Sequence, residues 1–387
     1  MQTIKGLKNL KGKKVLVRVD FNVPIKDGKV EDNFRIKKAI PTIQFLQKKG
    51  AEIILICHLG KGGESLLPVA KSLNKFIKVK FIDDIVGEKA RKAVAQMKNG
   101  EVILLQNLRN DPGEKNSDKN FAKKLAGLAD IYINDAFSVS HREDASIVLL
   151  PKLLVPYAGF QLMEEIKNLS KIFEKTKHPF LFILGGAKFS TKMPLIKKYL
   201  KIADYVFIGG ALLNDFLKAK GYEIGKSLID DTEYGIGKII NNTPPSHKAS
   251  EGLAKFILPE FVVVKNSSGE FIEKNVKDVL KNDVILDVGQ KSIETLLPII
   301  EKSKMILWNG PLGKYEVGAG GSTKKTLQSL AKSKAQIVLG GGDLVSVLSS
   351  LKAKSYKLKA NTFISTGGGA TLDFLANGTL PGIKALR

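Results

Sequence analysis

The residues able to handle anions are divided along this chain. Five of its six arginines fall before residue 143, and four glycine clusters fall in the second half, each directly behind an apolar run. The clusters read FLFILGGAKFSTK (180–192), YVFIGG (205–210), QIVLGGGD (336–343) and TFISTGGG (362–369). Guanidinium forks grip carboxylates and phosphates through paired hydrogen bonds. Glycine turns let main-chain N–H groups approach the phosphates of a nucleotide. Both devices in one chain point to movement of a phosphoryl group between two bound partners.

In the first half, VRVDFNVP (17–24) ends an apolar run with Asp20 and Asn22, and Pro24 stops regular pairing. Alternation along a strand puts these two polar groups on one side, where they could hold a hydroxyl-bearing substrate. Arg35 opens a helical pattern, against the preference of the helix dipole, which favours an anionic partner for it. ICHLGKG (56–62) presents His58, Gly60 and Lys61 behind another run, and QNLRN and SHRED present Arg109, His141 and Arg142. Each fragment alone also reads as ordinary turn chemistry or a solvated side chain. Three arginines and two histidines at successive strand ends would form one basic rim suited to a multiply charged phospho-acid. Cys57, next to His58, reads as an inert buried thiol.

In the second half, Lys188 and Lys192 would flank the positive start of a helix beginning near Ser190, a placement that an anion relieves. Asp343 follows a glycine turn, where a carboxylate could hold Mg²⁺ directly or through water. The amides of Gly367, Gly368 and Gly369 could stabilise charge that develops during transfer. Glu316 could accept ribose hydroxyls. GYEIGKS (221–227) is one spacer residue short of a P-loop, and GAGGST (318–323), read as a loop, lacks the spacing of a dinucleotide fingerprint.

The elements that must position these residues follow a repeated rhythm of β-branched run, turn and helical pattern. Runs at 14–20, 51–58, 101–107 and 130–137, then 180–186, 205–210, 284–289, 305–310, 336–341 and 362–368, predict α/β architecture. Two doubly wound, Rossmann-like parallel-sheet domains are expected, with ligands beyond the carboxyl ends of the strands. Pro151, Pro156 and a Tyr157-Ala158-Gly159 turn mark the boundary, followed by a bridging amphipathic helix, QLMEEIKNLSKIFEK. The segment 241–252 reads as a polar surface excursion.

The chain has 387 residues, 43% of them apolar, and a net charge of +24. No run is long enough to span a membrane, the N-terminus carries no apolar signal core, and one cysteine fits a reducing cytoplasm. The lysines are dispersed as singles and pairs, and basic residues do not interleave with aromatics as in a nucleic-acid-binding protein, the main alternative class.

Taken in order, RVDFNVP, the Arg35 helix start, HLG, NLR, NDAF with HR, AGF, ILGGAK with STK, IGG, KGYEIGKSL, ILDVG, LWNGPLG, GGGD and STGGGA resemble the phosphoglycerate kinase family over nearly the whole chain. The resemblance implies reversible phosphoryl transfer between ATP and 3-phosphoglycerate, giving ADP and 1,3-bisphosphoglycerate, with Mg²⁺, in a cytoplasmic monomer. It implies a glycerate-binding domain at 1–156, a helical hinge at 157–175, a nucleotide-binding domain at 176–371 and a return of 372–387 to the first domain. The glycerate residues would be Asp20, Phe21, Asn22, Arg35, His58, Leu59, Gly60, Lys61, Arg109, His141 and Arg142. The nucleotide residues would be Gly185, Gly186, Lys188, Lys192, Gly209, Asn309, Pro311, Glu316, Gly341, Gly342, Asp343 and Leu344, with the metal reached from Asp343 through the nucleotide. Arg35, Lys192 and the Gly367–Gly369 amides would steady the phosphoryl in flight.

The acceptor carboxylate, with an ordinary pKa near ~4, is ionised at neutral pH, so no general base is required. Positioning and charge stabilisation carry such a transfer, with closure of the domains excluding water. Lys61 stands where the family has arginine, Leu344 where it has threonine, Gln106 where it has an acid, and Glu143 and Asp144 flank Arg142. These departures predict altered substrate affinity; a weakened relative that binds ligands without turnover is the second alternative.

Overall fold

The computed structural model describes residues 1–187, 189, 192–230, 236, 254–342, 344–345, 347–348 and 359–387. The polar segment 241–252, Lys188 and Asp343 lie outside the described residues. Two compact units are present, Met1–Lys167 with Asn377–Arg387, and Asn168–Ala376; their division falls within the helix Phe160–Glu174.

In the first unit, strand β1 (Lys14–Arg18) is followed by a small hairpin of β2 (Ile25–Lys26) and β3 (Lys29–Val30). Then come β4 (Glu52–Ile56), β5 (Lys80–Ile82), β6 (Val102–Leu105), β7 (Ile131–Asn134) and β8 (Val155–Ala158). Six of these form a parallel sheet in the order β5-β6-β4-β1-β7-β8. Consecutive residues Val15, Leu16 and Val17, and again Ile53 to Ile56, are fully buried. Both faces of the sheet are therefore covered, and each such side chain contributes about 1.5–3 kcal/mol relative to exposure. The helix Phe34–Lys48 lays Ile36, Ala39, Ile43 and Leu46 against this core, at helical spacing. Its start is fixed where Asp32 Oδ1 accepts from the Phe34 amide at 2.8 Å, which leaves Arg35 in the first turn. The predicted Tyr157-Ala158 turn is instead the end of β8. Pro156 is tolerated there because β8 lies at the sheet edge, where a missing N–H breaks no ladder.

In the second unit, β9 (Phe180–Leu184), β10 (Tyr205–Ile208), β11 (Lys255–Ile257), β15 (Met305–Asn309), β16 (Gln336–Gly340) and β17 (Thr362–Ile364) form a second parallel sheet, in the order β11-β10-β9-β15-β16-β17. Between them in sequence, β12 (Phe261–Lys265), β13 (Phe271–Asn275) and β14 (Val284–Val288) make a separate antiparallel sheet, β13-β12-β14. The run at 284–289 was expected among the parallel strands. Its first three residues alternate between half-buried and buried, the mark of a sheet covered on one face, and the apolar letters conceal that alternation. GAGGST is also only partly a loop, because the helix Gly321–Lys332 starts inside it. The helix expected to begin near Ser190 begins at Met193, with Pro194 in its first turn, where a missing N–H costs nothing.

In each sheet the chain starts at a middle strand and builds first on one side of it and then on the other. The reversal lies between β1 and its neighbour β7 in the first unit, and between β9 and β15 in the second. Loops at such reversals diverge and leave a crevice beyond the strand ends.

Candidate active site

Four adjacent strands of the first unit, β6, β4, β1 and β7, deliver the basic residues. Asp20, just beyond β1, is 7% exposed and pairs with Arg35, Oδ2 to Nη1 at 2.8 Å. Its Oδ1 accepts from the Asn22 amide at 3.0 Å, and Ser138 donates its hydroxyl to Oδ2. Arg35 Nη1 also donates to the Asn22 carbonyl at 3.2 Å. The Asn22 side chain accepts from the Gly60 amide at 3.0 Å, joining the β1 loop to the β4 loop. Asn107 holds that same loop from the β6 side, accepting from Leu59 N at 3.1 Å and donating to Leu59 O at 2.9 Å and Glu64 O at 3.0 Å. Gln106 adds bonds to the Leu66 amide at 3.0 Å and to Asp83 at 2.8 Å, so the residue replacing an acid acts as a loop staple.

Arg109 donates Nη1 to the Gly60 carbonyl, while its Nε and Nη2 are buried and bonded to nothing among the described residues. Unpaired buried guanidinium donors are costly and call for an anion. Burial, then Arg142, lowers the Arg109 pKa, so the cations stand close enough to compete for one. His58 is 1% exposed. Burial first, then Arg18, Arg109, Arg142 and Arg35, depress its pKa, so the ring is neutral. His141 is half-buried, and Arg142 and Lys61 are exposed at the rim. Phe21 and Leu59, expected at the substrate, put their side chains in the core cluster and leave only main chain to the loops. Burial pushes the Cys57 thiol up to about 12, as expected for an inert group.

Five adjacent strands of the second unit deliver the glycines. Gly185 N donates to Asn309 O and Gly186 N to Pro311 O, both at 2.8 Å; Gly209 N donates to Leu184 O at 2.8 Å and Gly210 N to Leu312 O at 3.0 Å. These bonds lace the loops after β9, β10 and β15 together. Gly186 has φ +85°, and a Cβ there would stand 2.4 Å from Lys192 Nζ, so both backbone and lysine require glycine. Lys192, at the cap of the helix Met193–Tyr199, is 6% exposed and donates Nζ to the Gly185 carbonyl. Asn309 Nδ2 is buried without a partner, and a Cβ on Gly340 would lie 3.1 Å from it. That donor stands beside the Gly341–Gly342 turn.

The three amides behind β17 are not equivalent. Gly367 N donates to Ser365 Oγ at 3.1 Å and is therefore committed to the loop. Gly368 N and Gly369 N have no acceptor among the described residues and sit at the start of the helix Gly369–Asn377. Leu344 is fully buried and brings no polar group. Glu316 is exposed, on the short turn Tyr315–Val317. Among the described residues no cluster of three or more His, Cys, Asp or Glu side chains is arranged to hold a metal.

The residues missed by reading the sequence lie beneath the first site: Arg18, Glu114, Ser138 and Ser146. Arg18 offered a signal, because a charge inside a continuous apolar strand must be paired when buried.

A parallel-sheet unit ending in arginine forks, joined to another ending in glycine loops and a buried lysine, defines a phosphotransferase acting on small molecules. The sequence pattern of the family described as phosphoglycerate kinase matches residues 4–378. A phosphoglycerate kinase of Wolbachia sp. subsp. Drosophila simulans is 43% identical, over 98% of this chain and 97% of its own. Among solved structures, phosphoglycerate kinase from Coxiella burnetii is 33% identical with a TM-score of 0.81, covering 99% of this chain and 98% of that one. Phosphoglycerate kinase from Pyrococcus horikoshii OT3 is 29% identical with a TM-score of 0.86, over 100% and 98%. The chain belongs to the phosphoglycerate kinase family.

Proposed function

We propose that the protein transfers a phosphoryl group reversibly between ATP and the carboxylate of 3-phosphoglycerate. In this reading the first unit binds the glycerate. Arg109, with its two unpaired buried N–H groups, takes an anionic end, helped by Arg142 and Lys61. Asp20 and Asn22 orient the hydroxyl-bearing carbon, and Arg35 faces the transferring group. The second unit binds the nucleotide, with Lys192 and the Gly368 and Gly369 amides facing its terminal phosphate and Asn309 beside it. Mg²⁺, bound chiefly by the nucleotide's phosphates, neutralises part of their charge.

No residue need take a proton, because the acceptor is already a carboxylate. The work of the chain is to place two anions in line, spread the negative charge over donors and exclude water. Substrates held by separate units must be brought together for this, and we assign that motion to the helix Phe160–Glu174. The protein acts in the cytoplasm as a monomer in this reading.

The observation that supports it most is the convergence of Asp20, Asn22, His58 and Arg109 behind three adjacent strands with Arg35 from the first turn of the helix Phe34–Lys48, around donors that lack an acceptor. Turnover is measured by coupling 1,3-bisphosphoglycerate formation to NADH oxidation. The rate is expected to require ATP, Mg²⁺ and 3-phosphoglycerate together; a rate unchanged when the glycerate is omitted would contradict the reading.

A further inference from the structure

Arg18 closes β1 and is completely buried. Its Nε donates to Ser146 Oγ at 2.8 Å and its Nη1 to the Val19 carbonyl at 2.7 Å. Its Nη2 lies 3.1 Å from His58 Nδ1 and 3.8 Å from Glu114 Oε1. Glu114, also fully buried, accepts from Ser146 N at 3.0 Å and Ser146 Oγ at 2.6 Å. The Ser146 carbonyl in turn accepts from the Tyr132 hydroxyl at 2.6 Å. Four separate segments thus meet around one guanidinium, and Tyr132 joins them through Ser146.

A guanidinium carries donors only. The contact with His58 Nδ1 therefore exists only if that nitrogen presents its lone pair, and a neutral ring then carries its proton on Nε2. A protonated ring would set two donors face to face. The charged groups that act most strongly on the ring are Arg18, Arg109, Arg142 and Arg35, all cations. His58 Nε2 makes no hydrogen bond to any described residue, so its proton remains available at the site.

We infer that Arg18, held in place by Glu114 and Ser146, is a positioning residue that locks His58 as a neutral Nε2–H donor. The inference rests on reading the first unit as the glycerate site, where such a donor serves the substrate's anionic oxygens. A fixed donor neither gains nor loses a proton during a reaction that needs no base. It also keeps its function as pH falls, which an ordinary histidine does not.

Long-range ¹H–¹⁵N correlation spectra of the full chain, labelled in its four histidines, read the tautomer directly; His58→Gln assigns the signal. Wild type is expected to show the neutral Nε2–H pattern from about pH 5 to about pH 9. An Nδ1–H pattern, or imidazolium in that range, would overturn the inference. Arg18→Lys should retain the pattern, because an ammonium also only donates. Arg18→Met should give mixed tautomers that titrate in the usual histidine range, with the KM for 3-phosphoglycerate raised ~10-fold and that for ATP unchanged. A folded Arg18→Met that kept the Nε2–H pattern would refute the lock. If that variant does not fold, the wild-type and Arg18→Lys spectra decide. None of these spectra depends on turnover, so an inactive protein with a locked ring would count against the proposed reaction and not against Arg18.

Discussion

At the mouth of the first site, Glu64 turns its carboxylate back onto its own loop, accepting from the Gly62 amide at 3.0 Å. Its own amide, then those of Gly62 and Lys61, hold its pKa below the usual carboxylate range, so it is charged wherever the enzyme works. That charge competes with substrate for Arg109. Glu64→Gln keeps an acceptor oxygen for the loop and removes the competition. The KM for 3-phosphoglycerate should fall about 2- to 5-fold with kcat unchanged, and a rise in KM would mean the charge helps the site. Lys192→Ala and Arg35→Ala should each lower kcat by about 10²-fold or more while the thermal unfolding midpoint stays close to that of wild type. Near-normal turnover in either variant removes its assigned role. His58 and Arg109 were legible in sequence because each follows an apolar run that ends at the sheet's carboxyl edge, and Arg35 because a cation opening a helix runs against the helix dipole. Glu114 was not, since PGEK reads as a solvated turn and only the packing of Arg18 and Ser146 around it explains its burial.

The helix Phe160–Glu174 depends on a buried acid at its start. Asp135 Oδ1 accepts from Gln161 N at 2.8 Å and Leu162 N at 3.3 Å, while Oδ2 is buried without a hydrogen bond. Burial raises the Asp135 pKa to about 7, offset in part by Thr42 and those amides. Between about pH 4 and about pH 7 the folded chain keeps a proton that the unfolded chain has released, so this group's contribution to stability falls as pH rises. Asp135→Asn lacks that proton. The advantage of wild type over the variant in urea-unfolding free energy should shrink by on the order of 2 kcal/mol between about pH 5 and about pH 8. A constant difference would show that Asp135 does not titrate there. Gly159 is needed at the same junction, since a Cβ would stand 2.2 Å from Asp135 Oδ1. Gly159→Ala should cost about 1–3 kcal/mol, read from the same urea curves. Sequence patterns located this helix by its amphipathic spacing and most of the strands by their continuous apolar runs, which parallel sheets covered on both faces favour. They misplaced β8 and β14, where an edge position and one-sided burial, both tertiary facts, decide what the residues do.

The molecule as a whole carries a net charge of +24 without a single dense basic block. A field of that sign raises encounter rates with anionic substrates and is screened over about 10 Å at ~0.1 M salt. The kcat/KM for 3-phosphoglycerate should therefore fall several-fold from about 20 mM to about 200 mM salt, with the KM for the glycerate changing more than kcat. An effect confined to kcat would place the salt dependence elsewhere. Both units repeat one plan, a six-stranded parallel sheet with its functional loops behind adjacent strands. The division of labour between arginine forks and glycine amides is the central claim. Its most direct test compares both Michaelis constants in two variants, Arg109→Ala in the first unit and Asn309→Ala in the second. Arg109→Ala should raise the KM for 3-phosphoglycerate ~10-fold or more and leave that for ATP within about twofold, and Asn309→Ala should do the reverse. Variants that moved both constants together would contradict the separation of the two anions between the two units.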